Sequence, residues 1–170
     1  MANVVLIGAT GFVGSAILNE LLSRGHKVTA VVRNAAKLPK NDNLTAVEED
    51  VANVDAIANI AKGKDAVISA YNPGWNNPDI KRLIEENYPK IVEAVKKSGV
   101  QRLLIVGGAG TLFVKPGLRV VDSGFIPAEI MDGVRPLGEF YLNFLTKEHD
   151  LDWVFFSPAG AFEEIGRAHV

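Results

Sequence analysis

The sequence predicts an α/β fold, a doubly wound parallel sheet in a single domain. Short apolar runs rich in Val, Ile and Leu alternate with longer segments whose apolar residues recur at helical spacing. A glycine cluster separates the first run from the first helical segment, and the first three helical segments each close near a glycine. Alternation of this kind lays successive strands parallel in a sheet covered by helices on both faces. With 170 residues the chain has room for one buried core, since domains run to roughly 100–200 residues.

Strands are expected at about 3–8, 27–32, 44–48, 65–70, 102–107 and 153–157. Helix 12–24 carries Val13, Ala16, Ile17 and Leu21 on one stripe, helix 53–61 carries Ile57 and Ile60, and helix 79–97 carries Leu83, Ile84, Ile91 and Val95. Gly25, Gly63 and Gly99 are their stop signals. Residues 108–133 include Gly110, Pro116, Gly117, Gly124, Pro127 and Gly133 without sustained periodicity, and read as a long loop. Loops of that length in compact domains are uncommon unless functional. A last helix is expected over 135–149, with Pro136 in its first turn and Leu137, Phe140, Tyr141, Phe144 and Leu145 facing the core.

Composition removes several function classes. The 18 Lys+Arg and 20 Asp+Glu give a net charge of −2, and no basic run exists to hold nucleic acid or anionic lipid. No stretch approaches the roughly 18 apolar residues of a membrane helix. The absence of Cys removes disulfides, thiolate metal sites and thiol nucleophiles, and cytoplasmic localisation is expected. His26, His149 and His169 lie too far apart for a zinc site, so no metal is expected. His149 suits a helix C-terminus, where a cation complements the dipole.

Chemistry concentrates in Gly8-Ala9-Thr10-Gly11-Phe12-Val13-Gly14, set between the strand from Asn3 and an amphipathic helix. In that setting glycine permits a sharp turn, close backbone approach to a pyrophosphate and tight helix–strand packing, while the helix N-terminus offers N–H donors. Gly8, Thr10, Gly11, Phe12, Val13 and Gly14 are therefore expected to bind a dinucleotide. The second strand ends at Val32-Arg33-Asn34, where an NAD-selective site offers a carboxylate to the ribose. Arg33 instead fits a 2′-phosphate, favouring NADP while leaving NAD possible; Lys37 is an accessory candidate. The alternative for Arg33 is a solvated strand-end arginine.

Together with Asp50-Val51, Ser69-Ala70-Tyr71-Asn72-Pro73-Gly74-Trp75-Asn76-Asn77-Pro78, Val106-Gly107-Gly108-Ala109-Gly110 and Asp152-Trp153 through Ser157-Pro158, these residues resemble a known family along nearly the whole chain. It is the atypical short-chain dehydrogenase/reductases with an NAD(P)H-binding Rossmann-like domain, in the NADH-flavin reductase branch, kin to the NAD-dependent epimerase/dehydratases and NmrA-like regulators. The resemblance implies that Asp50 and Val51 flank the adenine, that Ser69, Ala70 and Tyr71 border the dinucleotide, and that Gly107, Gly108 and Ala109 lie beside the nicotinamide ribose. Asp50 also reads as an acidic residue ahead of a helix beginning near Asn53. Family members continue for a few dozen residues past the position of Pro158, so a more open acceptor side is expected.

Carbonyl-reducing members use a Tyr acid/base with a Lys four residues on. Tyr141 is followed at that spacing by Leu145 and stands only twelve residues before Trp153. Aligned on Glu139, Arg135 takes the Lys slot and Met131 the Tyr slot, which leaves no proton donor. Arg135, Thr111 and Tyr141 remain weak catalytic candidates; Thr111 reads equally as a turn former. Trp75, with Asn76, is either a platform for a substrate ring or a packing anchor in a turn. Phe113, Phe125 and Tyr141 are expected in core or loop packing.

The expected function is NAD(P)H-dependent hydride transfer to a small-molecule acceptor, with flavin a substrate rather than a bound cofactor. The alternatives are a non-catalytic NADP-binding sensor of the NmrA-like type and a sugar-nucleotide epimerase/dehydratase. A homodimer through the exposed faces of helices 79–97 and 135–149 follows from the resemblance.

Overall fold

The computed structural model describes residues 1–163. In chain order its strands are β1 (Asn3–Ile7), β2 (Lys27–Val32), β3 (Leu44–Glu48), β4 (Ala66–Ser69), β5 (Arg102–Val106), β6 (Phe113–Lys115), β7 (Leu118–Arg119) and β8 (Asp152–Phe156), and its α-helices are α1 (Phe12–Ser23), α2 (Val54–Ala61), α3 (Ile80–Ser98) and α4 (Met131–Glu139). Six strands form one parallel sheet in the order β3-β2-β1-β4-β5-β8. The chain first winds outward from β1 through β2 to β3, then returns to β4 on the other side of β1. Loops after β1 and β4 therefore diverge, opening a crevice at the carboxyl ends of the central strands.

Alternate strand residues supply the two faces. Leu6, Val28 and Ala30 pack with Leu18 of α1. Val5, Ile7, Val67, Leu103 and Ile105 point the other way, into a larger core with Ile57 of α2, Ile84, Tyr88, Ile91 and Val95 of α3, and Leu137 of α4. Asn53 begins α2 by accepting a hydrogen bond from the Ala56 N–H at 3.2 Å. Gly99 ends α3 at φ +84°, with Lys96 and Lys97 in its last turn.

The last helix departs from expectation. It starts at Met131, four residues before Arg135, so Pro136 lies in its interior. Gly133 is a helical residue whose missing side chain makes room for Trp75: an added Cβ would stand 2.6 Å from the indole. Proline removes a backbone N–H and crowds the preceding turn, and just beyond it the chain widens into a π-helical turn at Phe140–Phe144 and then tightens into a 3-10 turn at Leu145–Lys147. Phe140 and Leu145 stay buried while Phe144 is 40% exposed.

Residues 108–133 likewise contain more regular structure than a loop. A 3-10 turn at Ala109–Thr111 leads into an antiparallel hairpin of β6 and β7, closed at Pro116 and Gly117, the latter at φ +79°. Phe113, on this hairpin, and Phe125, in the turn region after it, are 58% and 75% exposed rather than in the core.

Candidate functional site

At the carboxyl ends of the parallel strands lies a cleft of about 900 Å³, within the range of small-molecule sites. Its wall begins at Gly8, which leaves β1 at φ +81° and donates its N–H to Val31 O at 3.1 Å. A Cβ there would lie 2.7 Å from Ala70 O, and one on Gly14 only 1.9 Å from Gly8 O. Those two glycines seat α1 against the sheet. Gly11 differs: an added Cβ meets nothing nearer than Gly8 O at 3.5 Å. Gly11 caps α1 without a side-chain hydrogen bond, and no acidic residue occupies the first turn. The free N–H groups and positive end of α1 are thus open to an anion.

Arg33, Lys37, Glu49, Asp50 and Val51 line one end of the cleft. Neither Arg33 nor Lys37 is ion-paired among the described residues. The turn carrying them is held by the Ala35 N–H donating to Glu48 Oε1 at 2.8 Å and the Ala36 N–H to Asn34 Oδ1 at 2.9 Å. Beyond them stands Tyr71, whose Oη accepts from Asn87 Nδ2 and whose carbonyl accepts from Tyr88 Oη, both at 2.7 Å. Burial pushes the Tyr71 phenol above its ordinary range, outweighing the Asn87 hydrogen bond that favours ionisation. Burial raises Tyr88 further. Both are neutral at physiological pH.

The other end is built from Gly107, Gly108, Ala109, Gly110 and Thr111 after β5, from Trp75, and from Ile126, Ile130, Val134, Leu137 and Phe155. A Cβ on Gly107 would lie 2.2 Å from the Phe155 ring, and that ring stacks on Tyr141 at 4.8 Å between centroids. Thr111 is 7% exposed, with its hydroxyl 3.4 Å from that of Ser157. Among the described residues no charged side chain lines this end.

Gly8, Thr10, Gly11, Phe12, Val13, Arg33, Asp50, Val51, Ala70, Tyr71, Trp75, Gly107, Gly108, Ala109 and Thr111 share the cleft. Gly14 lies beneath it, and Ser69 is buried below Tyr71, its hydroxyl accepting from the Tyr71 N–H at 3.4 Å. Asn76 is exposed outside the lining, where Asn77 stands instead. Arg135 pairs with Asp122 at 3.3 Å away from the lining, and Tyr141 sits behind Phe155. Sequence reasoning missed Asn87, Val134 and Phe155. Asn87 carried a signal: it is the polar member of the stripe that runs from Leu83 to Ile91.

The described residues hold no metal-binding group of acidic and histidine side chains, and no helix among them is long and apolar enough to cross a membrane. Residues 8–167 match the family model described as NAD(P)H-binding. The chain belongs to that NAD(P)H-binding family. A solved structure from Bacteroides thetaiotaomicron, provisionally described as an epimerase, is 54% identical with a TM-score of 0.87, over 94% of this chain and 71% of its own. A Streptococcus pneumoniae structure, provisionally described as an NADH-flavin reductase, is 31% identical with a TM-score of 0.79, over 99% and 77%. The uncharacterised YwnB of Bacillus subtilis is 36% identical over 164 residues, covering 95% of this chain and 74% of YwnB.

The residues of the cleft fit a dinucleotide on structural grounds: among the described residues a Cβ on Gly11 would meet only Gly8 O, at 3.5 Å, the α1 N-terminus has no side-chain cap, and the two cations at the β2 end are not ion-paired.

Proposed function

We propose that the protein is an NADPH-preferring reductase that passes hydride to a flat conjugated acceptor of the flavin kind. Gly11 and the first turn of α1 would hold the pyrophosphate, Arg33 and Lys37 the 2′-phosphate, and Gly107 to Ala109 the nicotinamide ribose. When bound, the reduced dinucleotide supplies a hydride, two electrons with one proton.

The observation that supports this acceptor class is the lining of the far end, which among the described residues contains no charged side chain, while burial keeps the neighbouring phenols of Tyr71 and Tyr88 neutral. Reducing a carbonyl or epimerising a sugar builds charge on one oxygen and needs a positioned acid. A conjugated ring spreads that charge over several atoms and takes its second proton from water. Trp75, Val134, Leu137 and Phe155 then act by excluding water and fixing the ring, with Thr111 Oγ1 as the hydroxyl available to orient it. The name carried by the Streptococcus pneumoniae relative points to the same chemistry.

A titration with NADPH and NADH followed by fluorescence, and then addition of riboflavin or FMN while reduced-nicotinamide absorbance is monitored, tests the proposal. Tight NADPH binding with oxidation on adding flavin is expected. Tight binding without turnover of any acceptor would transfer the assignment to an NADP-sensing protein, which the same uncharged acceptor end also suits.

A further inference from the structure

Six arginines fall among the described residues, and the structure pairs Arg24 with Glu20, Arg82 with Asp79 and Glu86, Arg102 with Asp152, and Arg135 with Asp122. The two without a carboxylate partner among the described residues are Arg33, in the cleft, and Arg119, on the β6–β7 hairpin. Cross-strand register sets Arg119 opposite Phe113, and its guanidinium lies over that ring at 4.4 Å from the centroid. One guanidinium nitrogen donates to Thr111 O at 2.6 Å. Thr111 lines the acceptor end of the cleft, whereas Phe113 is 58% exposed. Arg119 is thus outside the lining itself but clamped on two sides, one of them the backbone of a lining residue, Thr111.

A fixed cation without a counter-charge is a prepared anion site. Stacking and the Thr111 hydrogen bond immobilise the guanidinium beforehand, so little freedom is lost on binding, and its remaining N–H groups match a phosphate or carboxylate. The apolar floor suits a ring, and the cation outside it suits an anionic arm projecting from that ring. We infer that the acceptor is a flat conjugated molecule bearing an anionic arm, bound through Arg119, so that FMN is preferred to uncharged riboflavin. This rests on the reductase reading above and narrows it.

The test compares FMN with riboflavin, which carry the same ring and differ by one phosphate. With NADPH saturating, kcat/KM is expected to be at least tenfold higher for FMN, and the ratio should shrink as ionic strength rises. In Arg119→Gln the ratio should collapse toward one, and Arg119→Lys should restore part of it. Unchanged NADPH affinity in both variants would show that the fold is intact. A wild-type ratio near one, or a high ratio that survives Arg119→Gln, overturns the inference. Should neither flavin be reduced, the reductase reading fails by itself. Flavin-fluorescence titrations of the NADP-saturated protein then decide the anion site: tighter FMN binding lost in Arg119→Gln supports it, and equal binding of both flavins, or of none, overturns it.

Discussion

Gly11→Ala separates what the glycine loop does for the fold from what it does for a ligand. At this position φ is −77° and ψ is 173°, extended backbone open to any residue, and an added methyl meets nothing nearer than 3.5 Å. The substitution should change the stability of the empty protein by no more than about 1 kcal/mol, because the gain of about 0.4–1 kcal/mol from a less flexible unfolded chain is offset by the preference for glycine over alanine at an N-cap. For a chain of this size that is roughly 1–4 °C in Tm. Toward a dinucleotide the substitution is harmful, because the methyl occupies the space in which a pyrophosphate must approach the α1 N-terminus. A displacement costing about 1.4 kcal/mol or more weakens NADPH binding at least about tenfold. Differential scanning fluorimetry without nucleotide, paired with an NADPH titration, reads both effects. Wild-type NADPH affinity in Gly11→Ala would refute the argument that this glycine is kept for a ligand. A large loss of Tm would refute the claim that the fold has room for a methyl at this position.

Gly14→Ala should behave oppositely, losing at least about 1–3 kcal/mol of stability by overpacking, because its Cβ would lie 1.9 Å from the Gly8 carbonyl oxygen; chemical denaturation of the empty protein measures this. Arg33→Ser should weaken NADPH binding about 10–150-fold, as expected for a charged hydrogen bond of about 1.5–3 kcal/mol, with little change for NADH; equal losses for both would remove Arg33 from the 2′-phosphate. Tyr88→Phe addresses alkaline stability. The folded-state pKa of Tyr88 is raised, so its contribution is complete below the unfolded value near pH 10 and declines above it, by up to about 1.4 kcal/mol per pH unit. The variant should lose about 1 kcal/mol at neutral pH with its hydrogen bond to Tyr71 O, yet show a flatter fall in urea midpoint between pH 10 and 11.

Local physics made much of this molecule legible. Strands 27–32 and 44–48 are found at the expected residues because alternating β-branched runs have one comfortable conformation, and Asn53 is readable as a cap from its side chain alone. The helix that starts at Met131 was not readable, because Gly133 is kept for a contact with Trp75, 58 residues earlier in sequence. The same holds at the acceptor end. Gly107 looks like a flexible loop glycine until the Phe155 ring is found across it, and Arg135, plausible by its spacing from Glu139, is taken by Asp122. Neighbours distant in sequence decide such positions, and a one-dimensional pattern does not carry them.

The placement of β1 bears on how the protein is made. Hydrogen-bonded to β2 on one side and β4 on the other, it is the seam on which two separately wound halves meet, and the cleft spans that seam. A chain that has assembled only β1, β2 and β3 lacks Tyr71, Gly107 and the acceptor wall, so a nucleotide finds only half its contacts there. Nucleotide thus stabilises the finished molecule over its partly assembled forms by mass action. The slowest closure, pairing strands far apart along the chain, is the step that a saturating dinucleotide should make hardest to reverse.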